Sequence, residues 1–101
     1  MPDTKLPPLH PGEVLREEFM KPLRLSAIVV ANECHVPRTR IERIAREEIG
    51  ITADTALRLS KLFGNSAAFW LHLQADYDME MARAKIGPDL EAIRTRELES
   101  A

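Results

Sequence analysis

The sequence predicts an all-α domain of five short helices, and three observations carry that reading. Apolar residues recur at i, i+3 and i+4 in successive windows, and no alternation follows the single β-branched run, Ile28 to Val30. Capping and breaking residues punctuate those windows: Pro11, Ser26, Pro37, Thr52, Gly64 and Ser66. Aromatics make up 5% of a chain that is 45% apolar, which leans toward helix rather than sheet. A length of 101 residues leaves room for one domain with a modest core.

Residues 1–9 carry Pro2, Pro7 and Pro8 without a period and are expected to form a flexible arm. The first helix opens in "HPGEVLREEFMKPL". Pro11 suits the first helical position, where its missing N–H would be unpaired anyway. Glu13, Glu17 and Glu18 lie toward the N-terminal half, which the helix dipole favours, and Leu15 and Phe19 form an i, i+4 apolar pair. Pro22 disfavours a helical Lys21 and is expected to close the element. "LSAIVVANEC" is the second helix, capped by Ser26. Its β-branched residues would allow a strand, but nothing nearby could pair with one. "HVPRTRIERIAREE" is the third: Pro37 starts it, and Ile41, Ile44 and Ala45 form its apolar stripe. "GITADTALRLSKLFG" is the fourth, capped by Thr52, lined by Ala56, Leu59, Leu62 and Phe63, and ended by Gly64 in the left-handed position. "NSAAFWLHLQADYDMEMARAK" is the fifth, capped by Ser66, with Trp70, Leu73, Tyr77, Met81 and Ala84 along one side. Gly87-Pro88 is expected to break the chain. The organisation is thus an arm over 1–9, a domain over 10–86, and a tail or short helix over 87–101 on Leu90, Ile93 and Leu98.

Bulk properties narrow the function. The net charge of -2 hides an asymmetry. Arg38, Arg40, Arg43 and Arg46 against Glu42 leave residues 37–46 at net +3, while residues 74–101 stand at net -3. That argues against a protein coating nucleic acid all over, but not against one nucleic-acid face. The longest apolar run, Ala27 to Ala31, is too short to span a bilayer, and no secretory signal pattern opens the chain. Cys34 stands alone and reads as a small packing residue, consistent with a reducing cytoplasm. His10, His35 and His72 have neither i, i+4 spacing nor an acidic cluster. No catalytic site, metal site or cofactor is expected.

The second and third helices are joined by about three residues near Cys34 to Val36, the length a helix-turn-helix needs. Thr39, Arg40 and Arg43 fall within about 100° of one another, opposite Ile41 and Ile44. A recognition helix must pack one face on the body and present long donors on the other. The planar fork of arginine bonds guanine O6 and N7 together, or grips a phosphate. Arg40 and Arg43 are thus expected in the major groove, with Arg38 and Arg46 on phosphates. The competing reading is a solvated face tied up in ion pairs, Glu42–Arg46 and Arg43–Glu47. In the fifth helix Phe69, Trp70, Leu71 and Leu73 are more apolar surface than one core can take. Trp70 and Tyr77 read as core. Phe69, Trp70, Leu73 and Tyr77, with Leu90 and Ile93 after them, also read as a subunit interface.

"HPGEVLREEF", "GITADTALRLSKLFG" and "FWLHLQADYD", in that order, resemble the HigA-type antitoxins, small helix-turn-helix proteins of the Xre/Cro-repressor class. The resemblance runs from His10 to about Met81. It implies a five-helix, lambda-repressor-like core with a short C-terminal extension, a homodimer, and binding to a palindromic double-stranded operator. It also implies neutralisation of a HigB-type toxin that cleaves mRNA on the ribosome, with no enzymatic activity of the chain's own. By position, Ser26 begins the first helix of the motif and can meet a phosphate. Arg38 to Arg40 open the recognition helix, Arg40 and Arg43 occupy its groove-facing positions, and Thr52, Ala53 and Asp54 begin the supporting helix. The chain departs from the family in three places. His35 stands where a glycine is common, Glu47 and Glu48 where Lys or Arg often grip the backbone, and Val29 and Val30 where polar or basic residues are usual. A toxin that holds RNA is expected to be basic. Glu13, Glu17 and Glu18 on the first helix are therefore the favoured toxin surface, with the acidic tail from Asp76 as the other candidate. A stand-alone regulator, and an interaction module that has lost DNA binding, remain as alternatives.

Overall fold

The computed structural model describes residues 7–98. Most of the expected arm and the last three residues of the tail lie outside them. Helix α1 covers residues 11–23, as an α-helical start (Pro11–Val14), a π-helical middle (Leu15–Met20) and an α-helical end (Lys21–Leu23). Then come α2 (Ala27–Cys34), α3 (Arg38–Ala45), α4 (Ala53–Phe63) and α5 (Ala67–Ala92), with no strand among the described residues.

Pro22 does not close α1. The helix widens just before it, so that the Lys21 N–H bonds the Arg16 carbonyl, five residues back. In an α-helix the proline ring would strike the carbonyl four residues earlier; the wider turn relieves that clash. The element ends at Arg24, whose backbone is left-handed at φ 55°. The break expected at Gly87-Pro88 is present, as a kink within α5. Ile86 leaves helical geometry (φ -111°, ψ 15°), and Pro88 then falls in the first turn after that kink, where a proline costs little. The helix resumes to Ala92, and residues 93–98 have no regular structure. The short helix considered for the tail therefore stops before Leu98, which is almost fully exposed.

Ser26, Thr52 and Ser66 cap their helices as expected, each side chain accepting the N–H three residues on. Helices α1, α2 and α3 end on left-handed residues that are not glycine: Arg24, His35 and Glu47. In each case the next N–H turns back five residues, Leu25 to Met20 at 2.8 Å, Val36 to Ala31 at 3.0 Å and Glu48 to Arg43 at 2.8 Å. These Schellman closures satisfy carbonyls the helix would leave unpaired.

Leu15, Val30, Ile41, Ile44, Leu59 and Trp70 are fully buried and draw α1 to α5 around one core. Each such side chain contributes about 1.5–3 kcal/mol of burial. Phe19 bridges the helices, with ring centroids 4.8 Å from Phe63 and 5.1 Å from Trp70. The Trp70 indole N–H donates to Asn65 Oδ1 at 3.0 Å. Beyond Tyr77, α5 runs out past the body. Met81 and Ala84 continue its stripe and are exposed.

Candidate nucleic-acid interface

Three residues, His35, Val36 and Pro37, connect α2 to α3. His35 adopts φ 58° and ψ 46°, a conformation that costs a residue with a Cβ about 1 kcal/mol. Arg58, from α4, holds the turn: its Nη1 donates to the Cys34 carbonyl at 2.8 Å and the His35 carbonyl at 3.3 Å. Val36 is half-buried against the core, which fixes the angle between the helices.

On α3 the division expected from the sequence holds. Ile41 and Ile44 are buried, whereas Arg38, Thr39, Arg43 and Arg46 are exposed and Arg40 partly so. The far end of α3 is held by α1. Arg16 Nη1 donates to the Ala45 carbonyl, and its Nη2 meets Glu47 at 3.3 Å. Gly12 lies so close that a Cβ there would fall 1.8 Å from the Ile44 oxygen. His10 sets this approach. Its buried Nδ1 accepts the Gly12 N–H at 2.9 Å, and its ring meets Tyr77 edge-on at 4.8 Å. Sequence reasoning missed the roles of His10, Gly12 and Arg16; the one signal was a glycine just inside a helix start, where it lowers helix propensity without a local reason.

The arginine face is paired within the chain. Arg40 Nη1 meets Asp54 Oδ1 at 2.7 Å, Arg38 lies 3.5 Å from Glu42, and Arg43 lies 3.5 Å from Glu48. The expected pairs Glu42–Arg46 and Arg43–Glu47 do not form. Arg38 takes Glu42 from the preceding turn, and the left-handed backbone of Glu47 carries it off the helix toward Arg16. Arg46 makes no ion pair among the described residues. Glu47 and Glu48 are thus partly neutralised, and the exposed pairs Arg38–Glu42 and Arg43–Glu48 are individually weak. Asp54 also accepts from Arg58 Nε at 2.8 Å; Arg58 and then Arg40 hold its carboxyl below the usual range. The Ser26 oxygen caps Val29 at 3.3 Å, leaving its hydroxyl proton free to donate.

The other expected surfaces divide. Trp70 is fully buried among Phe19, Phe63 and Phe69 because its indole points into the body, so it adds nothing to a subunit interface. Leu73 and Tyr77 are half-buried, whereas Phe69, Leu90 and Ile93 are exposed, Ile93 by 70%. On α1, Glu17 is engaged by Lys21 at 2.7 Å and Arg16 at 2.9 Å, which lower its carboxyl in that order. Glu13 and Glu18 are exposed and join it, with Leu9 and Val14, around a shallow groove of about 140 Å³. Cys34 is buried, and that burial pushes its thiol up. Among the described residues, no cluster of three His, Cys, Asp or Glu could hold a metal, and no helix is long and apolar enough to cross a membrane.

No protein-family model matches the chain. Virulence-associated protein I of Dichelobacter nodosus is 54% identical over 79 residues, which are 78% of this chain and 73% of that protein. Antitoxin HigA-1 of Vibrio cholerae is 30% identical over 79 residues, 78% of this chain and 74% of its own. The solved structure of Pseudomonas aeruginosa antitoxin HigA with the higBA promoter superposes with a TM-score of 0.84 at 38% identity, covering 90% of this chain and 99% of that one. The fold agrees with these likenesses, and the chain belongs to the HigA-type antitoxin family of Xre-like helix-turn-helix proteins.

Proposed function

We propose that this chain is the antitoxin of a type II toxin–antitoxin pair. In the cytoplasm it represses its own operon by binding a palindromic operator as a dimer, and it neutralises a HigB-type mRNA-cleaving toxin. It has no enzymatic activity of its own. One observation carries the DNA part: α3 buries Ile41 and Ile44 while Thr39, Arg40 and Arg43 face outward beside the Asp54 end of α4. Arg40 and Arg43 enter the major groove; Arg38, Arg46 and Ser26 meet phosphates.

One recognition helix reads few base pairs, so two copies about 34 Å apart would read successive major grooves. Phe69, Met81, Leu90 and Ile93 on and after α5 are exposed, and a second copy is the occupant that would cover them. Glu13, Glu17 and Glu18 offer the basic toxin an acidic face. A stand-alone regulator is the second reading. A relative in Escherichia coli carries only the name of an uncharacterised helix-turn-helix regulator, at 35% identity over 72 residues.

Retardation of the chain's own promoter fragment tests the reading. The wild type should bind, and Arg40→Ala/Arg43→Ala should lose roughly 10-fold or more, on the scale of a lost base pairing. Equal binding by both would refute the groove assignment. Co-expression with the product of a neighbouring short basic reading frame should restore growth. Failure to rescue, with promoter binding intact, would favour the stand-alone regulator.

A further inference from the structure

Asp54 stands outside the recognition helix but touches it. One of its oxygens, Oδ1, accepts from Arg40 Nη1 at 2.7 Å and from Arg58 Nε at 2.8 Å. Arg58 is itself anchored, its Nη1 spanning the carbonyls of Cys34 and His35 in the turn. The carboxylate is therefore flanked by two arginines. It is pinned to the helix-turn-helix turn on one side and grips a recognition-helix arginine on the other. Among the groove-facing arginines, Arg40 is the one held by a group on a different helix.

The atoms used matter. Nη1 of Arg40 is committed to Asp54. The opposite edge of the guanidinium, Nε–H with one Nη2–H, is left unused, and that edge bonds the O6 and N7 of guanine in parallel. A second effect is electrostatic. A fixed negative charge beside Arg40 is unfavourable next to the phosphates, which are everywhere on DNA, and is tolerable where Arg40 finds a neutral base edge. The pair is exposed in the free chain and weak there. Between protein and DNA it loses solvent and strengthens.

We propose that Asp54 is a specificity-determining positioning residue. It acts through Arg40, orienting the guanidinium for a guanine edge and penalising sequence-independent phosphate binding. The proposal rests on the DNA reading above, and its test separates the two.

Binding of the full-length chain to its promoter fragment and to an unrelated duplex of equal length is measured by fluorescence anisotropy across a salt series. Asp54→Asn should tighten binding to the unrelated duplex several-fold and steepen its salt slope by about 1, as one added phosphate neutralisation does. Promoter affinity should change less, so the ratio of the two affinities should fall by about 10-fold. In an Arg40→Ala background, adding Asp54→Asn should leave that ratio unchanged, because the coupling partner is gone. Arg40→Lys keeps the charge without the fork and should lose the ratio to a similar extent, which also covers a poorly folded Asp54→Asn. An Asp54→Asn protein with the wild-type ratio would overturn the proposal. So would an effect of equal size with and without Arg40, since Asp54 would then act as bulk charge only. A wild type that binds neither duplex would remove the DNA reading and this proposal with it.

Discussion

Replacing Gly12 by alanine tests how α1 seats α3. The new Cβ would lie 1.8 Å from the Ile44 carbonyl oxygen and 2.9 Å from its carbon. Ordinary carbon contacts are near 3.5 Å, so the two backbones must separate by roughly 1.5 Å. No flexible side chain can absorb this, because the obstacle is main chain. Moving α1 also disturbs the His10–Gly12 hydrogen bond and draws Arg16 away from the end of α3. Overpacking of this kind costs about 3 kcal/mol, at the upper end of the usual range. For a domain of this size that lowers the melting temperature by roughly 12–24 °C. The assay is thermal unfolding followed by helical circular dichroism, at one fixed protein concentration because association would shift the midpoint. Gly87→Ala is the control: nothing lies within 4 Å of its Cβ, and its φ is not in the left-handed range. It should be neutral or stabilising by about 0.5 kcal/mol. A Gly12→Ala midpoint close to that of Gly87→Ala would refute the close approach.

His35→Gly should relieve the left-handed strain of the turn and raise stability by up to about 1 kcal/mol, seen as a higher melting temperature; a decrease would mean that the imidazole makes a contribution the turn geometry does not reveal. Arg16→Ala should cost about 1–2 kcal/mol and speed amide exchange at Glu47 and Glu48, since it removes a charged donor from the end of α3; unchanged exchange there would show that the Schellman closure alone suffices. Cys34 should react slowly with thiol reagents at neutral pH and quickly once the chain is unfolded. Its raised thiol adds stability that is fully present below the unfolded thiol's pKa and is lost as pH rises through the folded value, so wild type and Cys34→Ala should differ most below about pH 8 and converge in alkali.

The helices and their caps were legible because their causes are local. A serine or threonine oxygen reaches an N–H three residues on, and an apolar stripe needs only its own period. The HigA-type resemblance was legible for the same reason, since ordered short motifs carry it. One element was misjudged where a local rule met a remedy it does not encode. Pro22 is a breaker by propensity, yet a π-helical widening accommodates it, whereas Gly87-Pro88 does interrupt α5, with a kink at Ile86. Charge pairing was misjudged because it is tertiary. Spacing along one helix offered Glu42–Arg46, whereas the closest ion-pair contact on the arginine face comes from Asp54, fourteen residues from Arg40. Trp70 was open to two readings, core and interface, and only the packing of three phenylalanines around it decides for the core.

The two arginine clamps have a consequence for protein engineering. Arg16 and Arg58 both lie outside the stretch from Ser26 to Arg46, yet one holds the far end of α3 and the other the turn that leads into it. The reading head is therefore not a portable cassette. Transplanting that stretch alone into another scaffold would carry over every arginine proposed to meet DNA but leave their bearing undefined. A graft that also carries Gly12, Arg16, Asp54 and Arg58, at the same places relative to α3, is the smallest exchange expected to move a binding preference from one protein to another.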